Sequence, residues 1–377
     1  MKKTESSFTP EITIDSPGRI NFIGGHTDYN KGFVLPAAID KKIHFYFRKN
    51  DSEDRATIHS KQYDNPLQIN LSKIERSSTL WENYILGVIQ QIQKLGKTLK
   101  GFECIIESNL PIGSGLSSSA ALECGMAYGL DRLFDLNLTK QEIISLSMTA
   151  EHEFVGTKCG IMDQFASVNG KKDHVMLLDC RTKEYKYIPA VLKPYKVLML
   201  NTNVSHQLSD GQYNSRQDEC IEAVAIIQKQ FPEVSFLRDV TLPMLEACKP
   251  NLSPIHYKRS LFIVEENARV LKAAKAFEEN NIEELGKLIY ACHDGLKNLY
   301  QISCPELDFL VDYAKTKSFI VGARLMGGGF GGCTINLVHE DFVKPYIEEV
   351  SKAYNEKFNI DLSAFEVNLS NGTTLRK

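Results

Sequence analysis

Apolar residues recur along this chain at two spacings. Ile12 and Ile14 alternate with polar neighbours between Glu11 and Asp15, and Ile43 to Phe47, a short run ending at Ser60, and Phe102 to Glu107 read as further strands. Trp81, Tyr84, Ile85, Val88, Ile89 and Ile92 instead recur at helical spacing behind Thr79 and Glu82, the two ends of a capping box. A second box, Thr139 to Glu142, opens a helix that continues toward Glu151 and His152, and Ala120, Ala121, Leu122, Met126, Ala127, Leu130 and Leu133 form another helical stripe. Val175 to Leu178 and Val197 to Leu200 read as buried strands, with the lysine-rich stretch between them as a linker. Helices are predicted from Tyr213, over Tyr257 to Phe277 and over Asn281 to His293. Another begins at Ser303-Cys-Pro-Glu306, where a serine cap precedes a first-turn proline. The chain closes with strands at Phe319 to Leu325, Thr334 to Val338 and Phe365 to Leu369 and a helix over Glu340 to Tyr354.

Strands and helices follow one another without a regular βαβ period, so the expected class is α+β rather than a doubly wound sheet. At 377 residues the chain is long enough for two cores, with the expected division at 1–195 and 196–377. Charge adds one restriction. Lys and Arg number 44 against 47 Asp and Glu, so no excess attracts nucleic acid or an anionic membrane, and a small molecule is the expected partner. No apolar run approaches the roughly 18 residues of a membrane helix, and none follows the two lysines of Met1 to Ser7. A cytoplasmic protein is expected, and a monomer, since no heptad pattern appears. The nine cysteines are scattered without a CxxC pair, so neither a disulfide framework nor a zinc ribbon is indicated.

The candidate chemistry centres on Pro111-Ile-Gly-Ser-Gly-Leu-Ser-Ser-Ser-Ala-Ala121. Gly113 and Gly115 let the backbone turn tightly and approach a ligand, and Ser117, Ser118 and Ser119 lead into the helix whose free N–H groups would face an anion. Three hydroxyls exceed what capping needs and suit a phosphate or a magnesium ion. The turn is no Walker loop, since no lysine follows its glycines, and no Rossmann fingerprint, since Ser118 stands where the third glycine belongs. Upstream, Arg19, Asn21, His26, Thr27 and Asp28 crowd into one glycine-punctuated segment, a polar density suited to sugar hydroxyls or phosphate. Downstream, Gly327-Gly-Gly-Phe-Gly-Gly332 is a close-approach loop that does not reveal what approaches it.

Three motifs in this order, Gly18-Arg-Ile-Asn-Phe-Ile-Gly-Gly-His-Thr-Asp-Tyr-Asn30, the serine cradle and Met326-Gly-Gly-Gly-Phe-Gly-Gly-Cys333, resemble the GHMP small-molecule kinases. The first resembles the signature of the galactokinase branch. Cys159-Gly-Ile-Met-Asp-Gln164, Asn201-Thr202, Tyr213-Asn214 and Ser303 to Asp308 extend the resemblance over nearly the whole chain. It implies an N-terminal domain like the second domain of ribosomal protein S5, a ferredoxin-like C-terminal domain, and a site between them. The implied reaction is ATP-dependent phosphorylation of the anomeric hydroxyl of α-D-galactose. By the same resemblance Asp163 receives the hydroxyl proton beside Arg19, while Ser119 and Glu151 hold Mg2+. Gly25, His26, Thr27, Asp28 and Tyr213 meet the sugar. Gly113, Ser114, Gly115, Leu116, Ser117, Ser118 and Ser119 cradle the ATP phosphates, with Ser60, Trp81 and Tyr84 near the base.

Two positions depart from the family pattern: Gly25 replaces the usual glutamate, expected to hold the C6 hydroxyl, and Met326 replaces a common threonine. The alternatives are a GHMP kinase for another galacto-configured sugar, such as N-acetylgalactosamine or a C6-modified galactose, and a non-catalytic galactose and ATP sensor. The intact Ser119-Ala120 pair favours catalysis over the sensor.

Overall fold

The computed structural model describes residues 8–111, 113–205 and 209–376. Met1 to Ser7, with their two lysines, Ile112 of the glycine turn, His206 to Leu208 and Lys377 lie outside it. The first half contains β1 (Ile12–Asn21), β2 (Phe33–Val34), β3 (Pro36–Lys49), β4 (Arg55–Ser60), β5 (Leu67–Asn70), α1 (Leu80–Lys94), β6 (Phe102–Ser108), α2 (Ser118–Phe134), α3 (Lys140–Ala150), α4 (Met162–Asn169), β7 (His174–Asp179) and β8 (Tyr185–Pro189). The second contains β9 (Tyr195–Ser205), α5 (Ser209–Ile227), α6 (Leu242–Cys248), α7 (Pro254–Glu278), α8 (Ile282–Gly295), α9 (Pro305–Lys315), β10 (Ile320–Leu325), β11 (Gly331–His339), α10 (Val343–Phe358), β12 (Ser363–Val367) and β13 (Thr374–Leu375).

A six-stranded sheet in the order β13-β1-β3-β6-β4-β5 carries α2 and α4 against β1 and β3, with α1 and α3 packed on α2. Its pairings are antiparallel except for β4 with β6. A four-stranded antiparallel sheet, β10-β11-β9-β12, is connected as strand, helices, two strands, helix, strand, which is the ferredoxin-like arrangement. The last strand returns to the first sheet, where Ile14 faces Leu375. One apolar cluster runs through both halves, from Phe22 and Phe45 to Phe262 and Leu325, and a smaller one lies under α9 and α10. This is a two-domain α+β fold.

Several expectations need correction. β1 does not stop at Asp15: it continues through a bulge between Pro17 and Arg19 to Asn21, because β3 keeps pairing with it, and Arg19 therefore stands on a strand. The expected linker after Leu178 contains β8, which pairs with β7 as a hairpin. Thr79 caps α1 by position but makes no side-chain bond, and Asn83 ties back to Ser77 instead. The box at Thr139 and Glu142 does form. At α9 the cap position is Cys304, and the Ser303 hydroxyl donates to Asp308 at 2.6 Å.

Candidate active site

The two glycine loops meet. A Cβ on Gly115 would stand 3.2 Å from the Met326 carbonyl, and one on Gly327 would stand 3.1 Å from the Cα of Gly115. Both residues also have positive φ, so bare backbone in the left-handed region is what lets the loops approach. Around this contact opens a cleft of about 370 Å³, walled by the α2 cradle, the segment after β1, the start of α4, Tyr213 of α5 and the loop before β11.

Asp163 is the second residue of α4 and faces this cleft. Arg19 holds it with a fork, Nε donating to Oδ1 at 2.6 Å and Nη2 to Oδ2 at 2.7 Å. The Ser117 hydroxyl donates to Oδ2 at 2.7 Å. A third guanidinium nitrogen, Nη1, donates to the Gly115 carbonyl at 2.6 Å, and the Arg19 N–H donates to Leu116 O at 3.0 Å, so the carboxylate and the cradle are tied to one side chain. Ser117 precedes α2 in the left-handed region, φ 62, and no side chain caps the helix. The opening N–H groups of α2 are thus left for an anion, and the hydroxyl that capping would have used is turned to Asp163.

Glu151 follows α3, where the helix widens into a π turn over Glu151–Val155. It is buried, accepts from Gln164 Nε2 at 2.8 Å and lines the cleft with Ser119. Burial pushes its carboxyl up to about 7, with Asp163 adding to the rise while Cys159, Ser119 and Gln164 favour the charged form. Beneath it, Glu123 of α2 is fully buried, its pKa raised by burial and by Glu151, with Oε2 3.3 Å from the same Gln164 amide and Oε1 without a partner. Sequence reasoning missed Glu123, although a glutamate one turn after Ser119 in an alanine-rich helix was a readable signal. A buried carboxylate oxygen without a donor, Glu123 Oε1, fits a hard cation. No group of three or more His, Cys, Asp and Glu is arranged to enclose a metal among the described residues, so a cation here would need other oxygens, such as phosphate or water, to complete its coordination.

On the opposite wall stand His26, Asp28 and Tyr213, all lining the cleft. Burial raises Asp28 to about 6, with Asp163 contributing, and lowers His26 to about 3, with Arg216 contributing. His26 Nδ1 lies 2.8 Å from the Tyr29 hydroxyl, which meets Tyr300 at 2.7 Å, and its ring packs against Tyr213 at 5.3 Å. A neutral imidazole is thereby locked in an aromatic frame. Gly25 also lines the cleft, beside Arg324 of β10.

Not every expected residue reaches it. Thr27 is fully buried, and its hydroxyl donates to Gly24 and Phe33 carbonyls, shaping the segment instead. The Ser114 hydroxyl closes the cradle onto Pro111 at 2.7 Å. Tyr84 lines the cleft, whereas Ser60 and Trp81 do not; Trp81 is stacked on Tyr63 with centroids 4.7 Å apart. Gly113, Leu116, Ser118 and Ser119 all line it. So do Asn21 and Arg324, the latter unforeseen because it sits inside an apolar strand.

Residues 2–49 match the galactokinase galactose-binding signature, 83–171 the GHMP kinases N terminal domain and 273–356 the GHMP kinases C terminal model. A galactokinase of Thermotoga maritima is 43% identical over 361 residues, covering 96% of this chain and 99% of its own. The chain belongs to the galactokinase family of GHMP kinases. Within that family, a Clostridium beijerinckii galactokinase is 39% identical over 368 residues, 96% of this chain and 94% of the relative. The crystal structure of Lactococcus lactis galactokinase complexed with galactose matches with a TM-score of 0.93 at 34% identity, covering 96% of this chain and 94% of that one. Methanococcus jannaschii mevalonate kinase, at 21% identity and a TM-score of 0.66 over 97% of this chain and all of that one, shares the fold alone. As for the two departures from the family pattern, Met326 is a buried core residue, 1% exposed, and Gly25 opens onto the cleft.

Proposed function

We propose that this chain transfers the γ-phosphoryl group of ATP to the anomeric hydroxyl of α-D-galactose, releasing galactose 1-phosphate and ADP. The observation that carries the reading is Asp163: a carboxylate with both oxygens fixed by Arg19 and Ser117, facing a cleft whose other edge is an uncapped helix start. A sugar hydroxyl is a weak nucleophile. Asp163 takes its proton as the bond to phosphorus forms, and Arg19 sets the direction of the carboxylate and stabilises charge on the transferring group. The bare N–H groups at the start of α2 and the glycine-rich turn hold the ATP phosphates, with Gly113 to Ser119 as the cradle. The base lies toward Tyr84, next to the stack of Trp81 and Tyr63, and Ser60 closes that side.

Asp28 accepts hydrogen bonds from vicinal sugar hydroxyls, with His26 and Tyr213 completing that wall, so a wrong epimer leaves buried polar groups unpaired. Ser119 and Glu151 would hold Mg2+, which when bound neutralises phosphate charge; the unpartnered buried Oε1 of Glu123 and the burial that raises Glu151 support this. In the same reading residues 1–195 carry the phosphate and proton-transfer groups and 196–377 complete the sugar wall. No helix among the described residues is long and apolar enough to cross a membrane, and we take the chain as a cytoplasmic monomer, which light scattering checks. The decisive experiment is ADP release with Mg2+ over a panel of sugars. Turnover of galactose supports the assignment, and a sugar panel in which galactose alone stays silent overturns it.

A further inference from the structure

The cleft contains one buried charge that the proposed reaction leaves unused. Arg324 is 1% exposed and lines the cleft beside Gly25. Its Nη2 donates to the Asn21 carbonyl at 2.6 Å and its Nη1 to Cys292 Sγ at 3.2 Å, while Nε has no acceptor. Both acceptors are neutral, since burial holds the Cys292 thiol up at about 12. A guanidinium presents five N–H donors, so two neutral acceptors leave most of its capacity unmet.

The carboxylate beyond that thiol does not balance it. Glu266 accepts from Cys292 Sγ at 2.9 Å and from the N–H groups of Gly24 and Gly25 at 2.8 and 3.3 Å, and it forms an ion pair with Arg269. Arg269, which also meets Glu265 at 3.5 Å, is the guanidinium that Glu266 pairs with, and no ion pair to Arg324 forms among the described residues. A buried charge without a partner is strongly unfavourable. A purely structural Arg324, tying β10 to the end of β1 and to Cys292 of α8, would account for these two bonds and not for a buried charge with Nε left over.

Gly25 is what leaves this cation open. A Cβ there would stand 3.3 Å from Arg324 Nη1, so any longer side chain would meet the guanidinium, and an acidic one would neutralise it. Position 25 supplies no countercharge in this chain, which leaves space beside Nη1 for an anionic group on the ligand. We propose that Gly25 and Arg324 form an anion subsite on the sugar side of the cleft, and that the chain phosphorylates galacto-configured hexuronates as well as neutral galactose. The chemistry selects this class. Among the carbons of an aldohexose, only the exocyclic one can become a carboxylate while the ring, its anomeric hydroxyl and its other hydroxyls stay intact.

The inference rests on phosphoryl transfer at the anomeric hydroxyl and leaves that step unchanged. The C1 oxygen forms its bond to the γ-phosphorus, the bond from that phosphorus to the β,γ-bridging oxygen breaks, and the hydroxyl proton passes to Asp163.

The test uses the full chain with ATP and Mg2+, comparing kcat/KM for D-galactose and D-galacturonate and their binding by calorimetry. Galacturonate is expected within about tenfold of galactose or better. Gly25→Glu, which supplies the countercharge in the protein, is expected to lower the galacturonate-to-galactose ratio about a hundredfold, the scale of an interfacial charge left facing its like. Gly25→Gln, matched in size but neutral, separates charge from bulk and should lower the ratio far less. If galactose is phosphorylated while galacturonate neither turns over nor competes with it, the subsite is refuted and the kinase reading stands. If neither sugar is phosphorylated, the kinase reading fails and the subsite with it. Equal shifts in the Glu and Gln variants would refute the role of charge. The comparison of the two sugars on the unaltered chain decides the matter even if a variant does not fold.

Discussion

Asp163→Asn changes a charge and almost no volume. In the parent, Asp163 accepts three bonds of 2.6 to 2.7 Å, two from Arg19 and one from Ser117. An asparagine has one acceptor oxygen, so in either orientation its amide nitrogen confronts a donor, and one arm of the Arg19 fork is lost. Arg19, with its side chain 6% exposed, also loses its counterion, although Asp163 at 23% keeps some contact with water. A charge-assisted bond of this kind contributes about 1.5–3 kcal/mol to stability. At roughly 2–4 °C per kcal/mol for a domain of this size, the melting temperature should fall by several degrees. The rate should suffer more. Removing a general base lowers turnover by about 10²–10⁴, or roughly 3–5 kcal/mol in the barrier. Turnover at saturating sugar, measured well below the melting transition, separates the two effects, and calorimetry should give a galactose Kd close to that of the parent. A variant that keeps turnover within about tenfold of the parent would refute Asp163 as the proton acceptor.

Ser117→Gly removes the third bond to Asp163 while suiting the left-handed backbone there, φ 62. Turnover should drop by roughly tenfold with no loss of thermal stability, and unchanged turnover would show that the Arg19 fork suffices. Asp28, raised by burial from 3.8 to about 6, binds its proton more tightly in the folded state, so its contribution to stability is full below pH 3.8 and lost as pH rises through 6. Unfolding by urea should therefore show the unliganded parent losing about 3 kcal/mol more than Asp28→Asn across that window, and parallel curves would contradict it. Glu151→Gln should raise the half-saturating Mg2+ concentration by at least about tenfold, the scale found even for groups that touch a metal only through a ligand. An unchanged magnesium dependence would remove Glu151 from the metal site.

Much of this was local and so already written in the chain. The helix stripes, the Thr139 and Glu142 box and the cradle glycines depend on neighbours within a few residues, and each could be read without a fold. Even Arg19, Asp163, Ser119 and Glu151 stood out, because their segments resemble a known family in order and spacing. What stayed hidden depends on contacts across the sequence. Ser117 was a cradle residue until α4 brought Asp163 within 2.7 Å of its hydroxyl. β1 ran past Asp15 because β3 kept offering it a ladder, and the supposed linker became β8 because β7 lay beside it. Arg324 looked like an ordinary member of an apolar strand, and only burial without full pairing marks it out, as it does the depth of Glu123, whose place one turn after Ser119 was the only sequence hint. Gly25 shows the division most clearly. The missing side chain is visible in the sequence, but the cation it leaves uncovered comes from β10, some three hundred residues away, and its lack of a counterion is a property of the packed interior alone.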